Sequence, residues 1–256
     1  MAKVIAVFNQ SGGVGKSTLT MNLGYHLSQL QAQSGDWNRV LLLDADPQAS
    51  LTAFMGLEPD DLERTLYESL MKAAPLPIHS RLNGVDLAPA NINLSGAELE
   101  LVVAEMREVR LKDAIAPVIE QYDFILIDCP PSLGILSYIS LVAATHVLIP
   151  IQTQYKSLKG TDLLLRTLAR IKQRPNRDLV IAGIIPTLHD SRTEQGKSSL
   201  QAIEVQLASI GQVFPVIPRA VALADASQHH VPLALFNPKH PVVDILREIA
   251  AGVNNL

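Results

Sequence analysis

The chain has 256 residues, 48% of them hydrophobic and 18% charged, so it can form a large buried core. Its formal net charge of −4 excludes a strong overall attraction to nucleic acid, and its single cysteine excludes an intrachain disulfide framework. The sequence shows no signal-peptide pattern and no apolar run long enough to span a bilayer. We therefore expect a cytoplasmic protein in which residues 1–256 form a single domain.

Short β-branched segments alternate with helical patterns along the chain. Strands are predicted, in chain order, at Val4–Phe8, Arg39–Leu43, Phe124–Ile127, His146–Pro150, Leu179–Ile185 and Gln212–Val216. Helices are predicted near residues 16–33, 95–120, 133–142, 157–173, 193–209 and 241–253, with a capping box formed by Ser95 and Glu98. This alternation predicts an α/β fold with a doubly wound, mostly parallel sheet flanked by helices. Segment 52–94 shows no regular pattern.

A glycine-rich segment lies between the first predicted strand and the first predicted helix. Glycines let backbone N–H groups converge on phosphates, and the helix N-terminus adds unpaired N–H groups there. Lys16 supplies a positive charge for the β- and γ-phosphates, and the Ser17 hydroxyl is a suitable ligand for Mg²⁺. The alternative is a glycine-rich turn with a chance Gly-Lys-Ser, since Gln10 stands where the usual pattern has its first glycine. The predicted nucleotide-binding residues are Ser11, Gly12, Gly13, Val14, Gly15, Lys16, Ser17 and Thr18.

Two of the predicted strands are followed by carboxylates. Asp128 ends the strand near 124–127, and Asp44 and Asp46 follow the strand near 39–43. Strand ends share one edge of a parallel sheet, so we expect these acids beside Ser17. Asp128 is predicted to hold a Mg²⁺-bound water, Asp46 to position the attacking water, and Asp44 to support the loop and the metal shell. The alternative for each is the turn-forming or helix-capping role common for an Asp at a strand end.

Five segments together resemble the ParA/MinD family of Walker-type ATPases: Asn9–Thr18, Leu41–Gln48, Tyr122–Pro131, Pro150–Gly160 and Ile217–Ala226. The resemblance implies ATP hydrolysis with Mg²⁺ in a homodimer that sandwiches two ATP molecules. It also implies binding of the dimer to nonspecific DNA or to membrane, and a partner protein that stimulates hydrolysis. For the base, it places adenine between Pro186-Thr187 and Pro218-Arg219.

One position departs from the family pattern. Ser11 stands where members usually have a lysine that reaches the partner protomer's nucleotide, and Lys156 or Lys159 is the candidate replacement in trans. A serine here resembles the carboxysome-positioning, McdA-type branch. We therefore expect a nucleoid-associated ATPase with carboxysomes as cargo and an McdB-like adaptor. The alternatives are a plasmid or chromosome partition ATPase with a ParB-like adaptor, and a membrane-associated division-site regulator.

Basic residues late in the chain are the candidate DNA contacts. Arg166, Arg170 and Arg174 recur at helical spacing, and Lys172, Arg192 and Arg219 are expected to extend the patch. The alternative is a solvated surface whose cations oppose a helix dipole. Membrane binding is not expected, because residues 241–256 contain one cation, Arg247. A metabolic kinase or ligase would need a second substrate pocket, for which the sequence offers no constellation.

Overall fold

The structure, a computed structural model, describes residues 2–256 except for the side chains of residues 155–160. Its sheet has seven strands in the order β3-β4-β2-β5-β1-β6-β7. Only the β3–β4 pair is antiparallel, and the other neighbours run parallel. The strands are β1 Lys3–Val7, β2 Val40–Asp44, β3 His79–Leu82, β4 Val85–Ala88, β5 Phe124–Asp128, β6 His146–Gln152 and β7 Val180–Thr187.

Helices connect and cover the strands, as expected for right-handed crossovers between parallel strands. In chain order they are α1 Lys16–Ser28, α2 Ser50–Phe54, α3 Leu66–Lys72, α4 Asn93–Val103, α5 Arg110–Ile115, α6 Ile135–Ala143, α7 Tyr155–Gln173, α8 Glu194–Leu207, α9 Val221–Gln228, α10 Leu233–Phe236 and α11 Pro241–Asn254. Among the described residues, no helix combines the length and the apolar composition needed to cross a bilayer.

The sheet separates two apolar cores. Along β1, Val4 and Ala6 pack on one side, while Ile5 and Val7 pack on the other, because side chains alternate along a strand. The first core is covered by helices α3 to α8, and the second by α1, α2 and α9 to α11. This two-layer cover confirms the predicted doubly wound α/β fold.

The parallel register brings the functional strand ends together. Residue Val7 of β1 lies opposite Asp128 of β5, and Asp44 of β2 lies opposite the same residue on its other side. The carboxyl ends of β1, β2 and β5 therefore meet at one place on the sheet edge. Ligands of open α/β sheets bind at such an edge.

Five of the six predicted strands occur where the sequence places them. The sixth prediction, Gln212–Val216, is wrong as a regular strand: it is an extended segment with only an isolated bridge to β7, although the N–H of Ile184 donates to the carbonyl of Gln212 over 2.8 Å. The sequence analysis did not find the β3–β4 hairpin or helices α2, α3, α9 and α10. These elements are short, so their patterns carry little periodic signal.

The helix predicted at 95–120 is interrupted. Helix α4 ends at Val103, Met106 adopts a left-handed φ of 50°, and α5 begins at Arg110. The predicted capping box is also wrong, because α4 begins at Asn93 and Ser95 lies inside it. A capping box does occur at α3, where the Thr65 side chain caps the helix and the Thr65 N–H donates to Glu68.

Candidate nucleotide-binding site

The loop between β1 and α1 has a backbone that depends on two glycines. Gly13 and Gly15 adopt φ values of 72° and 87°, in the left-handed region where L side chains are strained. Gly15 is also the N-cap of α1 and provides no side-chain cap. The first amides of α1 are therefore available to an anion, together with the positive end of the helix dipole.

Two side chains anchor this loop to neighbouring strands. Asn9 is buried, donates to the carbonyl of Pro150 over 2.7 Å, and accepts from the N–H of Ser11 over 2.9 Å. The Thr187 hydroxyl at the end of β7 donates to the carbonyl of Val14 over 3.0 Å. The sequence analysis assigned no role to Asn9, because nothing in its spacing distinguishes an anchor from an ordinary loop residue.

Lys16 is almost completely buried at the start of α1. Its Nζ donates to the carbonyl of Ser11 over 3.0 Å, and its residue exposure is only 6%. Burial lowers the pKa of Lys16, while the nearby Asp128 carboxylate acts in the opposite direction. A buried ammonium group with one carbonyl partner retains donors for an anion in the loop.

Asp128 ends β5 in an unusual environment. Both carboxylate oxygens are buried, and among the described residues neither has a hydrogen bond of ordinary geometry. Burial and then Asp44 raise the pKa of Asp128, whereas the Ser17 hydroxyl is close enough to lower it. A buried carboxylate whose neighbour is a single hydroxyl at a helix start fits the oxygen ligands that Mg²⁺ takes directly or through water. The described residues hold no cluster of three or more His, Cys, Asp or Glu for a metal, so phosphate oxygens and water would complete the shell.

The contacts of Asp44 differ from those expected of a metal ligand or a catalytic residue. One of its oxygens accepts from the N–H of Asp46 over 3.1 Å, and the other accepts from the N–H and hydroxyl of Thr52 over 2.8 and 2.7 Å. Burial raises the pKa of Asp44 to about 7. Both oxygens are used within the protein, so Asp44 holds the 44–52 loop in place and is not positioned as a ligand.

Asp46 lies where the sequence places it, on the wall of the cavity beside the loop. It is buried, and its Oδ1 accepts from the N–H of Gln48 over 3.0 Å. Burial raises the pKa of Asp46, and the charge of Lys16 opposes this rise. The carboxylate is thus located to orient a polar group inside the cavity.

The cavity has a volume of about 440 Å³, and its two ends differ in chemistry. The phosphate loop and Asp46 form one end, and mostly apolar residues form the other. The predicted residue Thr187 lines it, whereas Pro186, Pro218 and Arg219 are not among its lining residues, and their contacts with a base stay predictions. The residues of the apolar end are Phe54, Leu188, Ile217, Ala220, Leu223, Ala224 and Leu246.

Backbone hydrogen bonds account for which residues line this part of the cavity. Pro186 is paired within the sheet opposite Ile151, and its carbonyl accepts from the N–H of Ile217. The Arg219 N–H is in turn bonded to the carbonyl of His189 over 2.9 Å, and its side chain is exposed. The residues next to the predicted ones therefore face the cavity.

Comparisons with known proteins decide the family. A family model described as an AAA domain matches residues 2–181. The sporulation initiation inhibitor protein Soj of Bacillus subtilis is 40% identical over 260 residues, covering 98% of this chain and 100% of that protein. The chromosome partitioning protein ParA of Myxococcus xanthus is 38% identical over 243 residues, covering 93% of this chain and 83% of that protein. The chain belongs to the ParA/MinD family of P-loop ATPases.

Solved structures agree with this family. An ATP complex of a McdA variant from Cyanothece superposes with a TM-score of 0.85 at 25% identity, covering 99% of this chain and 95% of that one. Cobyrinic acid a,c-diamide synthase from Mycobacterium smegmatis, with a bound ATP analog and magnesium, gives 0.84 at 34% identity, covering 98% and 93%. Both support the sequence-based prediction of a Mg²⁺-dependent ATPase site.

The basic residues predicted to bind DNA occupy several places on this ParA/MinD-type chain. Arg166 and Arg170 lie one helical turn apart and are exposed on α7, and Lys172 is also exposed. Arg174 follows the helix end and is exposed as well. Arg192 differs, because its guanidinium makes two 2.9 Å bonds to Asp190.

The proposed trans lysine falls outside the described side chains. Lys156 and Lys159 both lie within residues 155–160, at the start of α7. Ser11, the residue at the family's usual lysine position, contributes its carbonyl to Lys16 and its N–H to Asn9.

Proposed function

We propose that this protein is an ATP-driven positioning ATPase that acts as one unit over residues 1–256. ATP and Mg²⁺ promote a homodimer, the dimer binds nonspecific nucleoid DNA in the cytoplasm, and an adaptor protein resets it by stimulating hydrolysis. The observation that carries the proposal is the buried carboxylate of Asp128, which lies beside the Ser17 hydroxyl and the phosphate loop and accepts no backbone N–H among the described residues. It fits a site that is complete only with a Mg²⁺-bound triphosphate.

In the proposed hydrolysis, different residues bind the phosphates and orient the attacking water. The amides that begin α1 and the Lys16 ammonium hold the β- and γ-phosphates. Ser17, and Asp128 through a water molecule, would hold Mg²⁺, which when bound would supply positive charge near the phosphate oxygens. Asp46 orients the attacking water from the cavity wall, and Asp44 fixes the loop that carries Asp46. Water then attacks the γ-phosphate in line, with ADP as the leaving group.

The cargo that the proposal favours is chromosomal DNA. The supporting observation is the 38% identity to a chromosome partitioning ParA over 93% of this chain. Carboxysomes are the second candidate, supported by Ser11 at the signature position and by the likeness to McdA. Imaging of the tagged protein together with tagged chromosome origins and carboxysomes separates the two. Chromosomal cargo predicts disturbed origin spacing in a deletion strain, and carboxysome cargo predicts clustered carboxysomes with normal origins.

The cobyrinic acid a,c-diamide synthase likeness raises a small-molecule alternative. A second cavity, of about 610 Å³, has Lys3, Asp123 and Phe124 in its lining, at the amino ends of β1 and β5. Lys16 lies beyond the opposite ends of these strands, so a substrate in that cavity would not meet the γ-phosphate. We therefore favour a switch over a ligase.

DNA binding is tested at α7. The double variant Arg166→Glu/Arg170→Glu removes two exposed cations from one helix face. We expect at least a tenfold loss of affinity for a fluorescent random-sequence duplex with ATP, and a fall of about 2 in the salt slope of the binding constant. The charge-matched control Lys112→Glu/Lys239→Glu changes two exposed lysines outside α7. Equal losses in both variants would reject a specific α7 surface.

The trans role of Lys156 is a separate proposal. Because Ser11 supplies no charge to the partner's nucleotide, Lys156→Ala should weaken ATP-dependent dimerisation and lower turnover by about tenfold or more. Analytical ultracentrifugation with ATP and with ADP measures the first, and phosphate release the second. Lys159→Ala is the neighbouring control. A Lys156→Ala protein with ordinary dimerisation and turnover would refute this role.

A further inference from the structure

Beyond the carboxyl ends of β6 and β7, a threonine and a histidine form a buried side-chain pair. The Thr153 hydroxyl lies 3.2 Å from Nδ1 of His189, and both residues are buried. Thr153 directly follows β6, and His189 lies two residues after the end of β7. A buried hydroxyl and a buried imidazole are costly unless each has a partner, so this hydrogen bond fixes one loop against the other.

The main chain of His189 is held as well. Its N–H donates to the carbonyl of Ile217 over 3.2 Å, and its carbonyl accepts from the N–H of Arg219 over 2.9 Å. Among the described residues, Ile217 and Leu188 line the nucleotide cavity, whereas His189 does not. His189 is therefore bonded to the cavity wall through its backbone and to the end of β6 through its ring.

Leu188, between Thr187 and His189, has a strained backbone. It lines the cavity, and its φ of 51° lies in the left-handed region that a bulky L side chain seldom adopts. Such a conformation persists only where neighbouring contacts hold it, and it occurs most often at ligand contacts and switch segments. The hydrogen bonds of Thr187 and His189, on either side of Leu188, supply those contacts.

The other member of the pair leads directly into α7. Thr153 lies two residues before Tyr155, where this helix begins, and its N–H donates to the carbonyl of Thr187 over 3.1 Å. Gln154, at the N-cap, makes no capping hydrogen bond through its side chain to the described part of the chain. The contacts of Thr153 therefore locate the start of α7 in the absence of a side-chain cap.

We propose that His189 is a positioning residue that couples the occupied nucleotide cavity to the start of α7. A nucleotide packed against Leu188 shifts the loop after β7, and the hydrogen bond between His189 and Thr153 carries the shift to the helix. An apolar side chain in place of the imidazole would fill the space but could not bond to the Thr153 hydroxyl. Because α7 carries Lys156 and the exposed Arg166, this coupling deepens the proposed function, on which it rests only for the role of that helix.

The test is hydrogen–deuterium exchange of the full-length protein with and without ADP and Mg²⁺. ADP is used because dimerisation is proposed for the ATP state, so that exchange reports on one protomer. Amides of residues 9–18 report occupancy of the phosphate loop, and those of residues 153–165 report the start of α7. In the unchanged protein we expect ADP to slow exchange in both segments.

Two single substitutions remove the hydrogen bond from either side. His189→Leu and Thr153→Val should keep the ADP-dependent slowing in the phosphate loop, with an ADP affinity close to that of the unchanged protein. At the start of α7, the ratio of exchange rates without and with ADP should fall by about threefold or more, the scale of one hydrogen bond. A change confined to α7 separates positioning from a general loss of structure.

Three further variants make the test specific to this hydrogen bond. His189→Asn keeps a polar side-chain atom near the position of Nδ1 and should restore most of the α7 response. Thr153→Val/His189→Leu should match the single variants, because both substitutions remove the same bond. His146→Leu is the matched control, since its Nδ1 lies 2.8 Å from the Thr145 hydroxyl at the opposite end of β6, and its ADP response should equal that of the unchanged protein.

Four results would overturn the proposal: a full α7 response in both single variants, losses that add in the double variant, a similar loss in His146→Leu, or no α7 response in the unchanged protein. Circular dichroism checks folding, and if His189→Leu does not fold, Thr153→Val decides the outcome alone. The absence of slowing in the phosphate loop would contradict the nucleotide site as well. Because the assay omits DNA and adaptor, failure of the proposed function would instead appear as lost DNA binding with an intact ADP response.

Discussion

The polar side chains at the two ends of the parallel sheet differ in their hydrogen bonding. At the amino ends, Lys3 Nζ donates to the carbonyl of Asn254 over 2.9 Å, and Asp123 accepts from the N–H of Arg39 over the same distance. At the carboxyl ends, the oxygens of Asp128 are buried and have no such donor among the described residues. The two amino-end groups are satisfied by the chain itself. At the carboxyl end Asp44 is satisfied as well, and Asp128 is the carboxylate that a ligand would complete.

The difference shows where fold and function conflict. Burying a charged group without a partner costs free energy, so a site that awaits a ligand is a local source of instability. The sheet can carry this cost because every residue of β2 and β5 is buried, and β1 is buried apart from Lys3. Substitutions at the carboxyl end should therefore affect turnover first, and those at the amino end should affect stability first.

The largest expected effect is at Lys16. Lys16→Ala removes the buried ammonium group near the phosphates and should lower ATP turnover by about 100-fold or more. Lys3→Ala, at the amino end of the neighbouring strand, removes one hydrogen bond and should leave turnover unchanged at a cost of about 1 kcal/mol in unfolding free energy. Phosphate release and urea unfolding measure the two quantities. Normal turnover in Lys16→Ala would end the nucleotide-site assignment.

Substitutions of Asp128 and Asp123 compare the two ends of the sheet along one strand, β5. Asp128→Asn removes an ionisable group whose pKa is raised by burial, so turnover should fall at least tenfold while unfolding free energy at pH 7.5 rises by roughly 1 kcal/mol. Asp123→Asn should do the reverse, with full turnover and a small loss of stability. Magnesium titrations of both variants provide the site-specific readout. Equal effects of the two substitutions would contradict the contrast between the sheet ends.

The pH dependence of the unfolding free energy tests the raised pKa of Asp44. Its pKa is about 7 in the folded protein against 3.8 ordinarily, so the folded state holds this proton more tightly than the unfolded state does. Its stabilising contribution is complete below the ordinary value and is lost as the pH rises through about 7. Asp44→Asn does not titrate, so the decline in unfolding free energy between pH 5 and 7 should shrink by up to about 3 kcal/mol. Parallel stability curves in urea for the two proteins would rule out this titration.

The sequence predicts those parts of the site that lie close together along the chain. The spacing of Gly13, Gly15, Lys16 and Ser17 carries the phosphate loop, because each role needs a residue type at a fixed offset. Asp128 is predictable because its apolar strand accompanies a phosphate loop, although an Asp at a strand end commonly forms a turn. The alternation of strands and helices likewise predicts the doubly wound sheet.

The remaining features depend on contacts that spacing does not encode. The N–H and hydroxyl of Thr52 bond to Asp44, which agrees with the predicted loop support and leaves its place in the metal shell without a contact that spacing could supply. Pro186 pairs with Ile151 in the sheet, and the next residue, Thr187, lines the cavity. Ser95 and Glu98 have the residue types of a capping box, but the actual helix start is at Asn93. In each case a tertiary partner decides the outcome.

Thr187 has a consequence for how the protein distinguishes its occupants. The same residue lines the cavity and holds the Val14 carbonyl of the phosphate loop through its hydroxyl. A ligand group that displaced the Thr187 side chain would therefore release the Val14 carbonyl. The shape of the cavity wall and the position of the phosphate loop are thus coupled through one hydrogen bond of 3.0 Å.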